Sequence, residues 1–219
     1  MRQIPPRLDH DPRQFLRCVD SVTIRASLKT LYILANPGSA VNPLDELRTL
    51  LSLFPEGPEL MTSVQYIPKT QTPEPYKKLL SHDLHMTVAM EEYHGCPVDV
   101  HVLKQRLDDD IYLRQIILTR RSDGKPVQFG IVRFAFEYVS PEVREEILAG
   151  QTPLGRILIN HDVMRQVDLG AILEFTAGPG LAAALQMPVG GKTYGRLATL
   201  FCNHKPAVDL LEISCPLDA

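Results

Sequence analysis

The chain has 219 residues, a formal net charge of −3, 22% charged and 44% hydrophobic residues, 18 prolines and no tryptophan. This length suits one domain, or one domain with an appendage, and is enough to bury a core without disulfide or metal staples. The slightly acidic balance argues against general affinity for nucleic acid, which needs clustered Lys and Arg to meet phosphates.

The first twenty residues are polar, with Arg and Asp throughout and no apolar run, so no secretory signal is read. Residues 1–40 are Pro-rich and weakly patterned, and the first dozen are expected to form a loose arm. A helix is predicted over about 42–54. Asn42 can cap it, Pro43 suits its first position, and Asp45 and Glu46 favour its positive end. Leu44, Leu47, Leu50, Leu51 and Phe54 give it one apolar face, and Pro55, Gly57 and Pro58 stop it. Pro68, Pro73 and Pro75 mark an extended connection before a short helix over Tyr76 to Leu80.

From about residue 86 the texture turns to strands. Val98, Val100 and Val102 alternate with other residues, Ile111 to Thr119 is rich in Ile and Leu, and Arg121 to Gly124 signals a turn before a strand over Gln128 to Phe136. Ser140, Pro141 and Glu142 open a helix that closes at Gly150. The segment 157–188 reads as helical in parts, broken at Gly178, Pro179 and Gly180. A last hairpin runs from Arg196 to Cys202, turns at Asn203 to Pro206 and returns over Ala207 to Cys215. Hairpin-linked strands predict an antiparallel sheet, and helices gathered on one side of it predict an α+β fold. The longest uncharged stretch, Phe175 to Gly191, is too short and too interrupted by Pro and Gly to span a bilayer. Cys18, Cys96, Cys202 and Cys215 are scattered without a C-x-x-C pair, which suits reduced thiols in a cytoplasmic protein.

Most catalytic signatures are missing. Gly190, Gly191, Lys192 and Thr193 resemble the end of a phosphate loop, but the required first glycine falls on Gln186. The seven histidines form neither two tight ligand pairs nor a helical pair one turn apart, so no metal site is expected. No Gly-x-Ser-x-Gly is present, and Cys202 and Cys215 read as structural thiols. Two charges stand out instead. Arg114 shares a strand face with Tyr112, Ile116 and Leu118, and Glu212 shares one with Val208 and Leu210. A charge on an apolar face is costly without a partner. Either the two form a structural ion pair, or strand twist brings each to the surface, or they line a pocket for a small anionic ligand. In a pocket, Arg can hold a carboxylate, and a Glu in apolar surroundings can act as an acid or hydrogen-bond partner.

These residues sit in a longer ordered pattern. His85-Met86-Thr87 opens a strand; Tyr112-Leu113-Arg114 follows, then a hairpin with Asp-Gly at its turn, Pro153-Leu154-Gly155-Arg156, and Lys205-Pro206 ahead of Leu210-Leu211-Glu212-Ile213. The order resembles the chorismate pyruvate-lyase (4-hydroxybenzoate synthase) family, over roughly residues 82–216. The resemblance implies a chorismate lyase-like fold: a single antiparallel sheet with helices packed on it, and helical flaps over a buried ligand site. It divides the chain into an N-terminal extension over 1–75, packing on the main domain, and a lyase-like domain over 76–219. It implies cofactor-free cleavage of chorismate to 4-hydroxybenzoate and pyruvate. Arg114 matches the arginine that binds the ring carboxylate, and Glu212 the glutamate facing the ring hydroxyl. Met86 and Leu154 match residues lining the site, and Arg196 is a candidate for a second carboxylate. The expected partners are this small-molecule substrate and its aromatic product, with no metal, no nucleic acid and no membrane insertion, in a monomer or small homo-oligomer. Two alternatives stay open: a non-catalytic, sensor-like domain of the same fold that binds a small aromatic acid, and a related enzyme releasing 3-hydroxybenzoate or acting on another cyclic acid.

Overall fold

The computed structural model describes residues 42–217. The expected loose arm and Cys18 lie outside them. Seven strands form a single sheet: β1 (Met61–Ile67), β2 (Val98–Asp108), β3 (Ile111–Arg120), β4 (Pro126–Ala135), β5 (Arg165–Ala177), β6 (Lys192–Cys202) and β7 (Lys205–Ser214). Their order across the sheet is β1-β5-β6-β7-β4-β3-β2, and every pair is antiparallel. Among the described residues six α-helices accompany them: α1 (Pro43–Ser52), α2 (Tyr76–Leu80), α3 (Met86–His94), α4 (Pro141–Ala149), α5 (Leu154–Asn160) and α6 (Pro179–Leu185). The fold is α+β. Among the described residues no helix is long and apolar enough to cross a membrane.

Local chemistry explains several element ends. Asn42 caps α1, its Oδ1 accepting from Leu44 N at 3.1 Å, and Pro43 takes the first helical position. Ser140 caps α4 by accepting from Val143 N, and Gly150 closes that helix with a positive φ of 66°, which glycine adopts without steric cost. Asn203 and His204 both take positive φ, the geometry of a tight turn matched to strand twist, and this fixes the β6–β7 hairpin.

Three expectations fail here. His85-Met86-Thr87 does not open a strand: Met86, Ala89 and Met90 fall on one helical face and are buried, and Gly95 ends α3 in the left-handed region. The segment 157–188 is helical in parts, at the end of α5 and in α6, where Gly178 and Pro179 open the helix instead of breaking it, but between these two helices it holds the 13-residue strand β5. A register shift between Leu169 and Ala171 explains why its alternation was hidden. Val167 and Leu169 pack on one side of the sheet, but after the shift Ala171, Leu173 and Phe175 pack on the other. One extra residue reverses the phase of a period-two pattern. Nor do the helices gather on one side. Leu47 and Leu50 of α1, with Leu181 and Leu185 of α6, join Leu113, Phe129, Phe175 and Leu211 in one continuous core. Helices α2 to α5 cover the opposite face. Strand β1, which no sequence signal announced, pairs with β5 at the sheet edge.

Candidate functional site

The face under α2 to α5 carries two separate apolar clusters. One gathers Tyr112, Phe134, Ile147 and Leu158; the other gathers Leu80, Met90, Val98 and Leu118. Between them the sheet places polar side chains. The register sets Ile116, Gly130, Glu212 and Arg196 side by side on β3, β4, β7 and β6. Arg114 lies one step along β3 from Ile116 on the same face, and Gln128 lies one step the other way, opposite Leu118. Arg114, Gln128, Arg196 and Glu212 are all buried.

A cavity of about 500 Å³, mouth included, opens above this part of the sheet. Arg114, Ile116, Gln128, Gly130 and Glu212 belong to its floor, with Val132 and Leu210 beside them. Gly130 contributes room: a Cβ there would stand 3.1 Å from the Ile116 side chain. The roof comes from two helix starts, His85, Met86 and Thr87 at α3 and Pro153, Leu154 and Gly155 at α5. These starts are packed so closely that a Cβ on Gly155 would fall 2.9 Å from His85 Cβ. An ion pair between Arg156 of α5 and Glu91 of α3 ties the two helices together nearer the surface.

The electrostatics of the cavity are uneven. Glu212 accepts from Arg196 Nε at 2.7 Å, a pair with side chains 11% and 1% exposed. Arg196 also donates from Nη1 to the His82 carbonyl at 2.9 Å and from Nη2 to the Leu84 carbonyl at 3.0 Å, anchoring the segment that leads into the roof. Glu212 is thus paired with Arg196, not with Arg114. Arg114 is 1% exposed, and its Nε and Nη1 have no hydrogen-bond partner among the described residues. Burial pushes its pKa down, opposed by the Tyr112 phenol beside it. Its guanidinium carbon stands 5.9 Å from the Tyr112 ring centre. Among the described lining residues Arg114 and Glu212 are the charged ones. His85 Nε2 and Gln128 Oε1 are likewise buried without a partner, and burial, with Arg165 and Arg196 nearby, lowers the His85 pKa to about 4.

Of the residues singled out in the sequence, Arg114, Glu212, Met86 and Leu154 line this one cavity. Arg196 is not in its lining, and its donors face Glu212 and the two carbonyls. His85 and Gly155 were named as members of two motifs but given no role, and Gln128 and Gly130 were not singled out. The available signal for Gln128 and Gly130 was their place on the alternating face of β4; the roof residues were marked only by the motifs they belong to, since they meet only through tertiary packing. No group of three or more His, Cys, Asp or Glu among the described residues is placed to hold a metal ion.

Neither a protein-family model nor a curated protein matches the sequence. Solved structures resemble parts of it. YydK of Bacillus subtilis subsp. subtilis str. 168, a possible transcriptional regulator, shares 11% identity at a TM-score of 0.42. That match covers 56% of this chain and 61% of YydK, so the chain spans about three fifths of that protein's length. The effector domain of PhnF from Mycobacterium smegmatis shares 12% identity at a TM-score of 0.44, covering 60% of this chain and 88% of that one. The C-terminal domain of Yurk from Bacillus subtilis subsp. subtilis str. 168 shares 16% identity at a TM-score of 0.39, covering 52% and 88%. At these identities and scores no site residue passes from them to this chain.

Proposed function

We propose that this chain binds a small monocyclic carboxylic acid in the cavity between sheet and roof, with Arg114 holding the carboxylate. The observation that carries this reading is the Arg114 guanidinium, buried with two nitrogens lacking acceptors and facing an open space. An arginine stays protonated in proteins, and a buried charge without a counter-ion costs several kcal/mol. A ligand carboxylate supplies the missing acceptors through charge-assisted hydrogen bonds. Met86, Val100, Ile116, Val132 and Leu154 offer an apolar surround for a ring. Glu212, fixed by Arg196, offers an acceptor for a ligand hydroxyl. This is the binding reading, in which the domain senses or carries an aromatic acid.

A second reading adds chemistry at the same site, the cleavage of chorismate that the family resemblance implies. It is favoured by the presence of Arg114 and Glu212 in one cavity. Loss of the enolpyruvyl group as pyruvate makes the ring aromatic. The protein need only hold the carboxylate and orient the ether, and positioning of this kind contributes on the order of 7 kcal/mol in favourable cases. Neither reading requires a cofactor.

Thermal unfolding with benzoate and 4-hydroxybenzoate tests the binding. At a hundredfold excess over Kd, a ligand that binds only the folded state raises Tm by about 5 °C or more for a chain of this size. The rise is expected in the wild type and absent in Arg114→Met. If neither acid shifts Tm, the reading fails. Incubation with chorismate, with pyruvate and hydroxybenzoate measured together, then separates the two readings: release of both products supports the lyase, and tight binding without turnover supports the sensor.

A further inference from the structure

The polar atoms left over in the cavity describe its ligand more closely than Arg114 alone. We infer that Gln128 in the floor and His85 in the roof recognise neutral hydroxyl or amino substituents on the acid that Arg114 holds, so that the cavity selects a substituted monocarboxylate over a dicarboxylate. This rests on the carboxylate-binding reading of Arg114.

Gln128 is 3% exposed, and its Oε1 is buried with no partner; His85 Nε2 is in the same condition. A buried polar atom left unsatisfied costs roughly 1–3 kcal/mol unless something pairs with it, so orphans are few in folded proteins and call for an explanation. Here the orphans of three different residues, Arg114, Gln128 and His85, face one cavity from three different elements. Gln128 and Arg114 stand at opposite ends of the floor. The register places them two steps apart along the sheet, Arg114 opposite Val132 and Gln128 opposite Leu118. At strand rise this is roughly 13 Å between backbone positions. A ligand anchored by its carboxylate on Arg114 therefore extends toward Gln128 over the gap at Gly130.

The second end has no cation. Gln128 is an amide. His85 is held in its neutral form by burial, with Arg165 and Arg196 adding to that effect, and a neutral imidazole both donates and accepts. No lysine and no second arginine occurs among the described lining residues, and the remaining charge there is the carboxylate of Glu212. A second ligand carboxylate would thus lie beside Glu212 with no cation among the described lining residues, which is costly and counts against a dianion such as chorismate as the ligand. A hydroxyl or amino group can instead donate to Gln128 Oε1 or to Glu212, and a hydroxyl can accept from or donate to His85 Nε2.

Isothermal titration of the full chain with four probes tests this: benzoate, 3-hydroxybenzoate, 4-hydroxybenzoate and the dianion terephthalate. At least one hydroxybenzoate is expected to bind tenfold or more tightly than benzoate, since one satisfied buried orphan is worth about that factor. Terephthalate is expected to bind more weakly than benzoate. Gln128→Met, close to isosteric, or His85→Phe should reduce the hydroxybenzoate-to-benzoate ratio toward one. The ratio is taken within each variant, so partial destabilisation cancels, and Gln128→Leu and His85→Gln replace any variant that does not fold. An unchanged ratio in the variants, or terephthalate binding as tightly as the hydroxybenzoates, overturns the inference and leaves Arg114 as the anchor. If benzoate itself does not bind the wild type, the anchor has failed and the inference falls with it.

Discussion

The two faces of the sheet are both covered by helices, but they are filled by different rules. Under α1 and α6 a single apolar cluster runs across five strands, from Leu113 through Phe129 and Leu211 to Leu197 and Phe175, each at most 1% exposed. Under α2 to α5 the apolar residues divide into two groups, and the seam between them holds Arg114, Gln128, Arg196, Glu212 and an open cavity. Side chains on one face of a strand differ from those on the other only by a step of one residue. The same strands β3, β4, β6 and β7 therefore contribute rigidity from one side and an unfilled polar chamber from the other. A continuous packed layer fixes the floor on which the polar groups stand.

The largest expected effect breaks the packed face. Phe175 is fully buried in that cluster, and Phe175→Ala should destabilise the protein by about 3–5 kcal/mol, as truncations of large core side chains do. Urea unfolding measures this. Folded Phe175→Ala protein should keep the wild-type preference among benzoate probes, because no cavity-lining residue is altered. A loss of stability below about 1 kcal/mol would mean that this face is not the structural layer.

The next effect belongs to the cavity face and appears with acid. Burial lowers the pKa of His82, His85 and His94, and all three lie in or beside α3 on the cavity side. For His85 the folded value is about 4 against an ordinary 6.5. Between those values the unfolded chain takes up a proton that the folded chain refuses, so stability falls as pH drops through this window and the loss levels off below about pH 4. Between pH 7 and 4.5 the His85 contribution is about 2 kcal/mol. Urea unfolding at the two pH values should show a smaller acid-induced loss for His85→Gln than for the wild type. Equal losses would mean that the imidazole is not held neutral in the roof.

The contrast between the faces also explains what could be read beforehand. The α1 and α4 helices and the β6–β7 hairpin were legible because capping side chains, prolines and turn residues act within a few residues of where they stand. Arg114 and Glu212 were legible because a charge on an otherwise apolar strand face violates a local rule. Strand β5 was not, because the register shift at Leu169 inverts its phase midway. The pairing of Glu212 with Arg196 was not, because cross-strand neighbours depend on which strands meet and in what register. Gln128 and His85 gave only weak signals, a place on the alternating face of β4 and a place in a motif, since a neutral polar residue is ordinary in sequence and becomes notable only when it is buried without a partner.

The smallest effect has the opposite sign to the first, and this makes it the sharpest test of the contrast. On the packed face every large side chain is matched by its neighbours, so removing atoms from it costs stability. On the cavity face Glu212 is already matched by Arg196, and Arg114 retains two nitrogens that no described residue satisfies. Methionine at this position keeps an unbranched apolar stem and discards the uncompensated charge. Replacing buried charge with apolar side chains of similar volume is often neutral or stabilising. Arg114→Met should therefore make the ligand-free protein more stable by about 1–2 kcal/mol while removing the stabilisation that benzoate gives the wild type. Unfolding curves with and without benzoate should cross in rank: the variant leads without ligand, and the wild type leads at saturation. A variant less stable than the wild type in both conditions would place the missing acceptors for Arg114 within the fold itself, and the seam would then be structure on both faces.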